Sequence, residues 1–360
     1  MEPIKQYERG KGAVTILTTN RFRIFLIVGV IALSFLFSNN VTGQTPFDNV
    51  TRLLKSKQSV LGGNVCMLIS KDDQVVFENN LGKYTRNSPE MIASCSKWLT
   101  AALIATFIDE GRISPDDTLG KYLPVFSSYG KGSITISQCM SHTSGIESGQ
   151  ITFKSLLERR KIGSLDEEVN SFAKKLMVGK PGKVFSYGNI GLNTVGRILE
   201  VISHKDFETL FQERIAIPLG MKNTTFKNGK VVNPSGGAVS TAADYLNFLR
   251  MILNKGKFNG KQIISAKTIE QMQLSRTVNT EVIYTPAEAK SFEYGWGEWI
   301  LEKDKAGKSI VLSSPGLFGT FPWIDLVHNY AGIILVKNIQ FKDRQKNYQK
   351  IREAVNSAIK

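Results

Sequence analysis

The stretch Ile92–Gly111 reads I-A-S-C-S-K-W-L-T-A-A-L-I-A-T-F-I-D-E-G. Trp98, Leu99, Ala102, Leu103, Thr106 and Phe107 recur at helical spacing and Gly111 supplies a stop, which predicts an amphipathic helix with one core-facing side. Ser94 and Lys97 stand three apart near its start and share a face of the first turn. Unpaired backbone N–H groups and the positive end of the helix dipole lie at the same place. A hydroxyl, an amine and backbone donors thus converge, as a nucleophilic serine requires when no histidine serves it. Ser-x-x-Lys also occurs at Ser128/Lys131, Ser171/Lys174 and Ser357/Lys360, so spacing alone does not select Ser94. Its place favours it without deciding: it follows a strand pair and opens the most apolar helix of the chain.

Outward from this helix, Val65–Ser70 and Gln74–Asn79 read as two strands joined by the turn Lys71-Asp72-Asp73. A short helix, about 46–58, precedes them. The middle of the chain reads as helices: Ile134–His142, Leu165–Met177, Leu192–Ile202, Phe207–Ile215, Ala242–Leu253 and Ala266–Leu274. From Tyr294 the period changes. Gly297–Glu302, Ser309–Ser313, Thr320–Val327 and Gly332–Lys337 read as strands, and Asp343–Ile359 as a final amphipathic helix. Strands at both ends and helices between predict an α+β fold. Its antiparallel sheet is assembled from both chain ends and flanked by helices, with an all-helical insertion beside it. The site is expected in the cleft between the two regions.

At the N-terminus, Arg21 and Arg23 precede an apolar run from Ile24 to Phe37. The run is shorter than the roughly 20 residues of a membrane span. Residues 1–43 therefore read as a secretory signal peptide cleaved after Gly43, or as an uncleaved anchor that attaches the chain to a membrane. Either way the body from residue 44 to 360 is expected outside the cytosol, periplasmic or extracellular. The 360 residues carry a net charge of +15, spread without aromatic-interleaved basic patches or a nucleic-acid motif. That reads as a solvated basic surface with no nucleic-acid partner. The three cysteines, Cys66, Cys95 and Cys139, are odd in number and read as buried thiols. No internal repeat is present, and a monomer is expected.

Tyr187-Gly188-Asn189 lies in a glycine-flanked loop. In extended geometry Tyr187 and Asn189 point the same way. A phenol beside a lysine can shuttle protons, and an amide can hold a lysine or a substrate carbonyl; Tyr187 equally fits a buried packing role. Ser313-Ser314-Pro315-Gly316-Leu317 separates two late strands, either as an ordinary hairpin turn or as a place where Gly316 permits close approach and the Leu317 N–H serves an oxyanion. His142 reads as structural and Cys95 as packing. No Gly-x-Ser-x-Gly or His-Glu-x-x-His is present, so neither a metal site nor a cofactor is expected.

Taken together, I-A-S-C-S-K, D-E-G-R-I-S-P-D-D (109–117), I-T-I-S-Q-C-M-S-H-T-S-G (134–145), P-G-K-V-F-S-Y-G-N-I-G (181–191) and G-G-A-V-S-T-A-A-D (236–244) resemble the serine β-lactamase and penicillin-binding-protein superfamily, nearest its class C-like branch. The resemblance implies a three-layer β-lactamase/transpeptidase-like fold, with the domain's strands at about 65–80 and 294–338. It makes Ser94 the acylated nucleophile, Lys97 its activating amine, Tyr187 the partner acid or base and Asn189 a positioning residue. Ser314-Pro315-Gly316 stands where relatives carry Lys-Thr-Gly or a histidine variant. No cation stands there for a substrate carboxylate, so Ser314, Gly316 and Leu317 are expected to bind substrate through neutral groups. The implied function is an exported serine hydrolase acting through an acyl-enzyme on a small neutral ester or amide. Its alternatives are a β-lactamase or D-Ala-D-Ala carboxypeptidase activity, or a non-catalytic binder on the same fold. Lys97 could work neutral, as the base, or charged, stabilising a Tyr187 phenolate.

Overall fold

A seven-stranded antiparallel sheet takes its strands from both ends of the chain. The structure, a computed structural model, describes residues 46–149, 159, 161–339 and 343–359; the leader or anchor expected over 1–43 lies outside them. Helix α1 (Asp48–Lys57) leads into the hairpin β1 (Val65–Lys71) and β2 (Gln74–Leu81). Asp72 and Asp73 at its tip have φ of 50° and 60°. That left-handed pair matches the twist of the flanking strands, and aspartate tolerates it better than most residues.

The helical region holds α2 (Ser96–Asp109), α3 (Ile136–Met140), α4 (Leu165–Ala173), strand β3 (Val184–Ser186) and α5 (Ile190–Ser203). Beyond them lie α6 (Phe207–Phe211), α7 (Ala242–Leu253), α8 (Ala266–Met272) and strand β4 (Glu281–Tyr284). The chain closes with β5 (Glu293–Tyr294), β6 (Trp299–Lys303), β7 (Ser309–Ser313), β8 (Phe321–Asp325), β9 (Tyr330–Val336) and α9 (Arg344–Ala358). The sheet order is β2-β1-β9-β8-β7-β6-β5.

The sheet is the middle of three layers, which explains why V-C-M-L-I-S is apolar without alternation. Along β1, Cys66 and Leu68 face the helical region, while Val65, Met67 and Ile69 face the opposite side. Register carries the same split into β9: Cys66 pairs with Leu335 and Leu68 with Ile333 on the first face, Met67 with Ile334 and Val65 with Val336 on the second. Val50 and Leu54 of α1 and Tyr348, Ile351 and Val355 of α9 cover that second face.

Three expectations change. Helix α2 is not amphipathic: every residue from Ser96 to Phe107 is buried, so it runs enclosed through the helical region. The insertion is not all-helical. Glu90–Met91 pairs with Val239–Ser240, and β3 pairs in parallel with β4. Strands of two to four residues are too short to show a hydrophobic period. Helix α3 begins at Ile136, two residues later than expected, because Thr135 is its cap. Thr135 accepts from Gln138 N–H while the Gln138 side chain accepts from Thr135 N–H.

Candidate active site

Ser94 lies two residues before α2, in a 3₁₀ turn formed by Ala93–Cys95. Ala93 has φ of 45°, a left-handed conformation that costs a residue bearing a Cβ. Long-range bonds hold the turn in that state. The Tyr245 hydroxyl donates to Cys95 O at 2.8 Å, and the Ser314 hydroxyl lies 3.2 Å from both Ser94 O and Gly297 O. Ile92 N–H donates to Ala238 O and Ala238 N–H to the Ser96 hydroxyl, each at 3.0 Å. Gly316 passes so close to the turn that a Cβ there would stand 2.4 Å from Ile92 O. Its glycine is required by approach rather than by dihedral angle.

Lys97 is wholly buried, and its Nζ has three oxygen neighbours: Ser94 Oγ at 3.4 Å, Asn189 Oδ1 at 3.1 Å and Ser235 O at 2.8 Å. Burial disfavours the ammonium and lowers its pKa to about 7. A neutral amine has two N–H bonds and one electron pair. Asn189 Oδ1 and Ser235 O can accept but not donate, so they take the two N–H bonds and leave the pair for the Ser94 hydroxyl.

Tyr187 follows β3 directly, and its N–H donates to Tyr284 O at 3.0 Å. Its ring sits 4.8 Å from His142, 5.0 Å from Trp299 and 5.9 Å from Tyr294. Lys97 Nζ lies 5.0 Å from the ring centre. Burial pushes the phenol up, partly opposed by hydrogen bonding with Ser94 and Trp299. At neutral pH the phenol is therefore a proton donor, not a phenolate.

Ser94 and Tyr187 open on a cleft of about 320 Å³. Its walls are largely apolar: Tyr284, Phe292, Trp299, Leu317, Phe321 and Tyr348 contribute. Among the described residues, two charged groups reach it, Glu288 and Arg344. The Arg344 guanidinium donates to Gly316 O at 3.2 Å and Asn338 O at 3.5 Å. Among the described residues, the backbone N–H groups of Ser94 and Leu317, both on the cleft wall, make no hydrogen bond. They are free to meet a developing oxyanion.

Of the residues singled out from sequence, Ser94, Tyr187, Gly316 and Leu317 line this cleft, and Lys97 and Asn189 lie directly behind Ser94. Ser314 is 1% exposed and turns its hydroxyl to the main chain of the Ser94 turn. The other Ser-x-x-Lys pairs with both residues described serve the scaffold. Lys131 Nζ donates to Ala173 O at the end of α4, and the Ser171 hydroxyl donates to Glu168 O. Arg276 stacks on Trp296, 4.3 Å from the ring centre, outside the cleft lining. Cys95 is buried with its Sγ 3.6 Å from Thr320 O.

Three contacts are missing from the sequence reading: Ser235 through its carbonyl, Trp299 beside the phenol, and Arg344 from the last helix. Ser235 lies 138 residues after Lys97 and acts through a group every residue has. No side-chain pattern announces that. Among the described residues, no group of three His, Cys, Asp or Glu side chains could hold a metal ion, and no helix is long and apolar enough to cross a membrane.

Comparison with known proteins agrees with the fold. The chain is similar to the D-alanyl-D-alanine-carboxypeptidase/endopeptidase AmpH of Escherichia coli (strain K12), at 24% identity over 69% of this chain and 68% of that protein. A solved structure from Bacteroides dorei DSM 17855 superposes with a TM-score of 0.78 at 29% identity, covering 88% of this chain and 99% of the other. A family VIII carboxylesterase shares the fold at 17% identity, with a TM-score of 0.70 over 88% of this chain and 98% of its own. The family model described as Beta-lactamase matches residues 47–356. With that span matched end to end, and with the α+β fold and the Ser94–Lys97 pair in hand, the chain belongs to the Beta-lactamase family of serine hydrolases.

Proposed function

We propose that the protein is an exported serine hydrolase that forms an acyl-enzyme on Ser94 and acts on a small neutral ester or amide. The observation that carries this reading is the buried Lys97 amine. Its two N–H bonds are taken by fixed acceptors, and its electron pair is left to Ser94. Lys97 takes the Ser94 proton while Oγ attacks the substrate carbonyl carbon. The resulting oxyanion meets the N–H groups of Ser94 and Leu317. The bond to the leaving oxygen or nitrogen then breaks, and that atom takes a proton from the Tyr187 phenol, which Lys97 replenishes. Water repeats the sequence on the acyl carbon and frees Ser94. The test is hydrolysis of a panel of p-nitrophenyl esters, D-amino-acid amides and a chromogenic cephalosporin. Failure to turn over any of them, with no fluorophosphonate label on Ser94, would favour a binder instead. Export rests on the basic-then-apolar N-terminus, and a mature chain beginning near Gln44 is the expected result.

Tyr187→Phe separates proton transfer from packing. It keeps the ring and its contacts with His142 and Trp299. As a proton donor, Tyr187 should cost kcat when changed, with KM nearly unchanged. Were it a packing residue alone, kcat would hold and stability would move by about 1 kcal/mol.

The walls of the cleft favour a neutral acyl group. A second reading, a carboxylate-bearing substrate such as a β-lactam or a D-Ala-D-Ala stem, draws support from Arg344 in the cleft and from the similarity to AmpH. Against it, the Arg344 guanidinium is already bonded to two carbonyls, and Glu288 in the same cleft repels an anion. A charge-assisted bond to a carboxylate contributes roughly 1.5–3 kcal/mol, or about 10- to 150-fold. We expect kcat/KM for short-chain p-nitrophenyl esters to exceed that for a cephalosporin by at least about tenfold. Efficient cephalosporin hydrolysis, lost in Arg344→Ala, would establish the second reading.

A further inference from the structure

The lysine of this site is held from behind by a line of buried polar groups that the chemistry above does not use. Ser235 O, which accepts from Lys97 Nζ, belongs to a segment fastened at several points. Ser235 N–H donates to Asn193 Oδ1 at 2.9 Å, and the Ser235 hydroxyl donates to Asn189 O at 3.0 Å. The Thr100 hydroxyl, one turn after Lys97 on α2, donates to Pro234 O at 2.6 Å. Asn193 is itself wholly buried, one turn after Asn189 near the start of α5, and its Nδ2 donates to Glu168 Oε2 at 3.0 Å. Glu168, 4% exposed on α4, is gripped by Arg159 through Nε at 2.8 Å and Nη2 at 2.9 Å. The same guanidinium donates to Val231 O at 3.2 Å and Val232 O at 2.6 Å, on the segment that leads to Ser235.

Chemistry leaves one orientation for the Asn193 amide. Its oxygen must face the Ser235 N–H and its nitrogen the Glu168 carboxylate; reversed, donors would face donors and acceptors acceptors. Ion pairing of Glu168 with Arg159 fixes the far end of the line, and buried polar groups linked in this way act as a unit.

We propose that Asn193 is a positioning residue for Lys97, placing the Ser235 carbonyl so that the lysine electron pair faces Ser94, with Glu168 and Arg159 holding Asn193 in turn. The proposal rests on Lys97 being the base. If the Ser235 carbonyl shifts, the amine finds its N–H acceptor elsewhere and its electron pair turns from the hydroxyl. A misplacement of about 1 Å can cost on the order of 10²-fold in rate. Substrate binding is untouched, because neither Asn193 nor Ser235 lines the cleft.

The test is the pre-steady-state burst of p-nitrophenyl acetate on Asn193→Ala, with rates expressed per active site titrated to completion by a fluorophosphonate. That normalisation removes any loss of folded protein. Asn193→Ser, which keeps a hydroxyl near the place of the amide oxygen, is the milder variant should Asn193→Ala not accumulate. The expected result is a burst rate lower by roughly 10- to 100-fold with KM little changed, and a smaller loss for Asn193→Ser. A wild-type burst rate per titrated site in either variant overturns the proposal. So does a rise in KM that matches the loss in rate, since that would mark a distorted cleft. Lys97→Met, run beside them, keeps the outcomes apart. Activity retained there refutes the base assignment itself, whereas an inactive Lys97→Met with normal Asn193 variants refutes the positioning line alone.

Discussion

Ser94→Ala is expected to remove ester hydrolysis and fluorophosphonate labelling together, by on the order of 10⁴- to 10⁶-fold, while the melting temperature stays close to that of the parent. The size follows from the role: a nucleophile has no substitute, and the losses of a nucleophile and its base overlap rather than add. The small stability effect follows from the contacts. The Ser94 side chain meets Lys97 and Tyr187, and the bonds that hold the turn are made by the main chain at Ser94 and Cys95, which alanine keeps. Lys97 also retains Asn189 Oδ1 and Ser235 O. Hydrolysis near the parent rate in this variant would sink the assignment, and the Ser-x-x-Lys spacing would then be one more coincidence on this chain.

Lys97→Met is expected to lower kcat/KM by roughly 10²- to 10⁴-fold, the range of a positioned base. Methionine is the informative choice because it fills most of the space that Lys97 occupies inside α2. Alanine would add a cavity to the loss of the amine. The parent enzyme should also carry the signature of this amine in its pH profile. With a pKa lowered to about 7 by burial, Lys97 is protonated below that pH and cannot accept the Ser94 proton. Log kcat/KM for a neutral ester should therefore climb with a slope near one up to about pH 7 and level off above it. The phenol of Tyr187, pushed up by the same burial, stays protonated across that range and adds no second limb there. In Lys97→Met the acid limb should vanish along with most of the rate. A limb that survives the substitution would belong to another group, and Lys97 would not be the base.

Much of the scaffold could be read directly. The turn at Asp72-Asp73 and the apolar runs on either side need no distant partner to declare themselves, and they form a hairpin as expected. Gly111 ends α2 with φ of 67°, and the N–H of Arg112 returns to Phe107 O at 3.0 Å, a local helix stop. The late strands fall within two residues of their expected limits; three of the four are buried along nearly their whole length, and β6 turns only Glu302 and Lys303 to solvent. What escaped is short or non-local. Strand β4 pairs with β3 across the length of the helical region, and it sets Tyr187 through the carbonyl of Tyr284. Such a pairing leaves no mark on either segment alone.

The sequence by itself determined the local chemistry: a serine and a lysine three apart, a phenol and an amide two apart, a glycine where main chains touch. Those are properties of neighbours along the chain, and dihedral preference and side-chain period express them without help. Only the tertiary structure decided which Ser-x-x-Lys pair could be reactive and in what protonation state. Lys131 meets a helix-end carbonyl, whereas Lys97 is enclosed with two acceptors and a hydroxyl. Desolvation lowers a lysine's proton affinity only when residues from distant segments close around it. For Lys97 that closure comes from Asn189 and Ser235, 92 and 138 residues further along the chain.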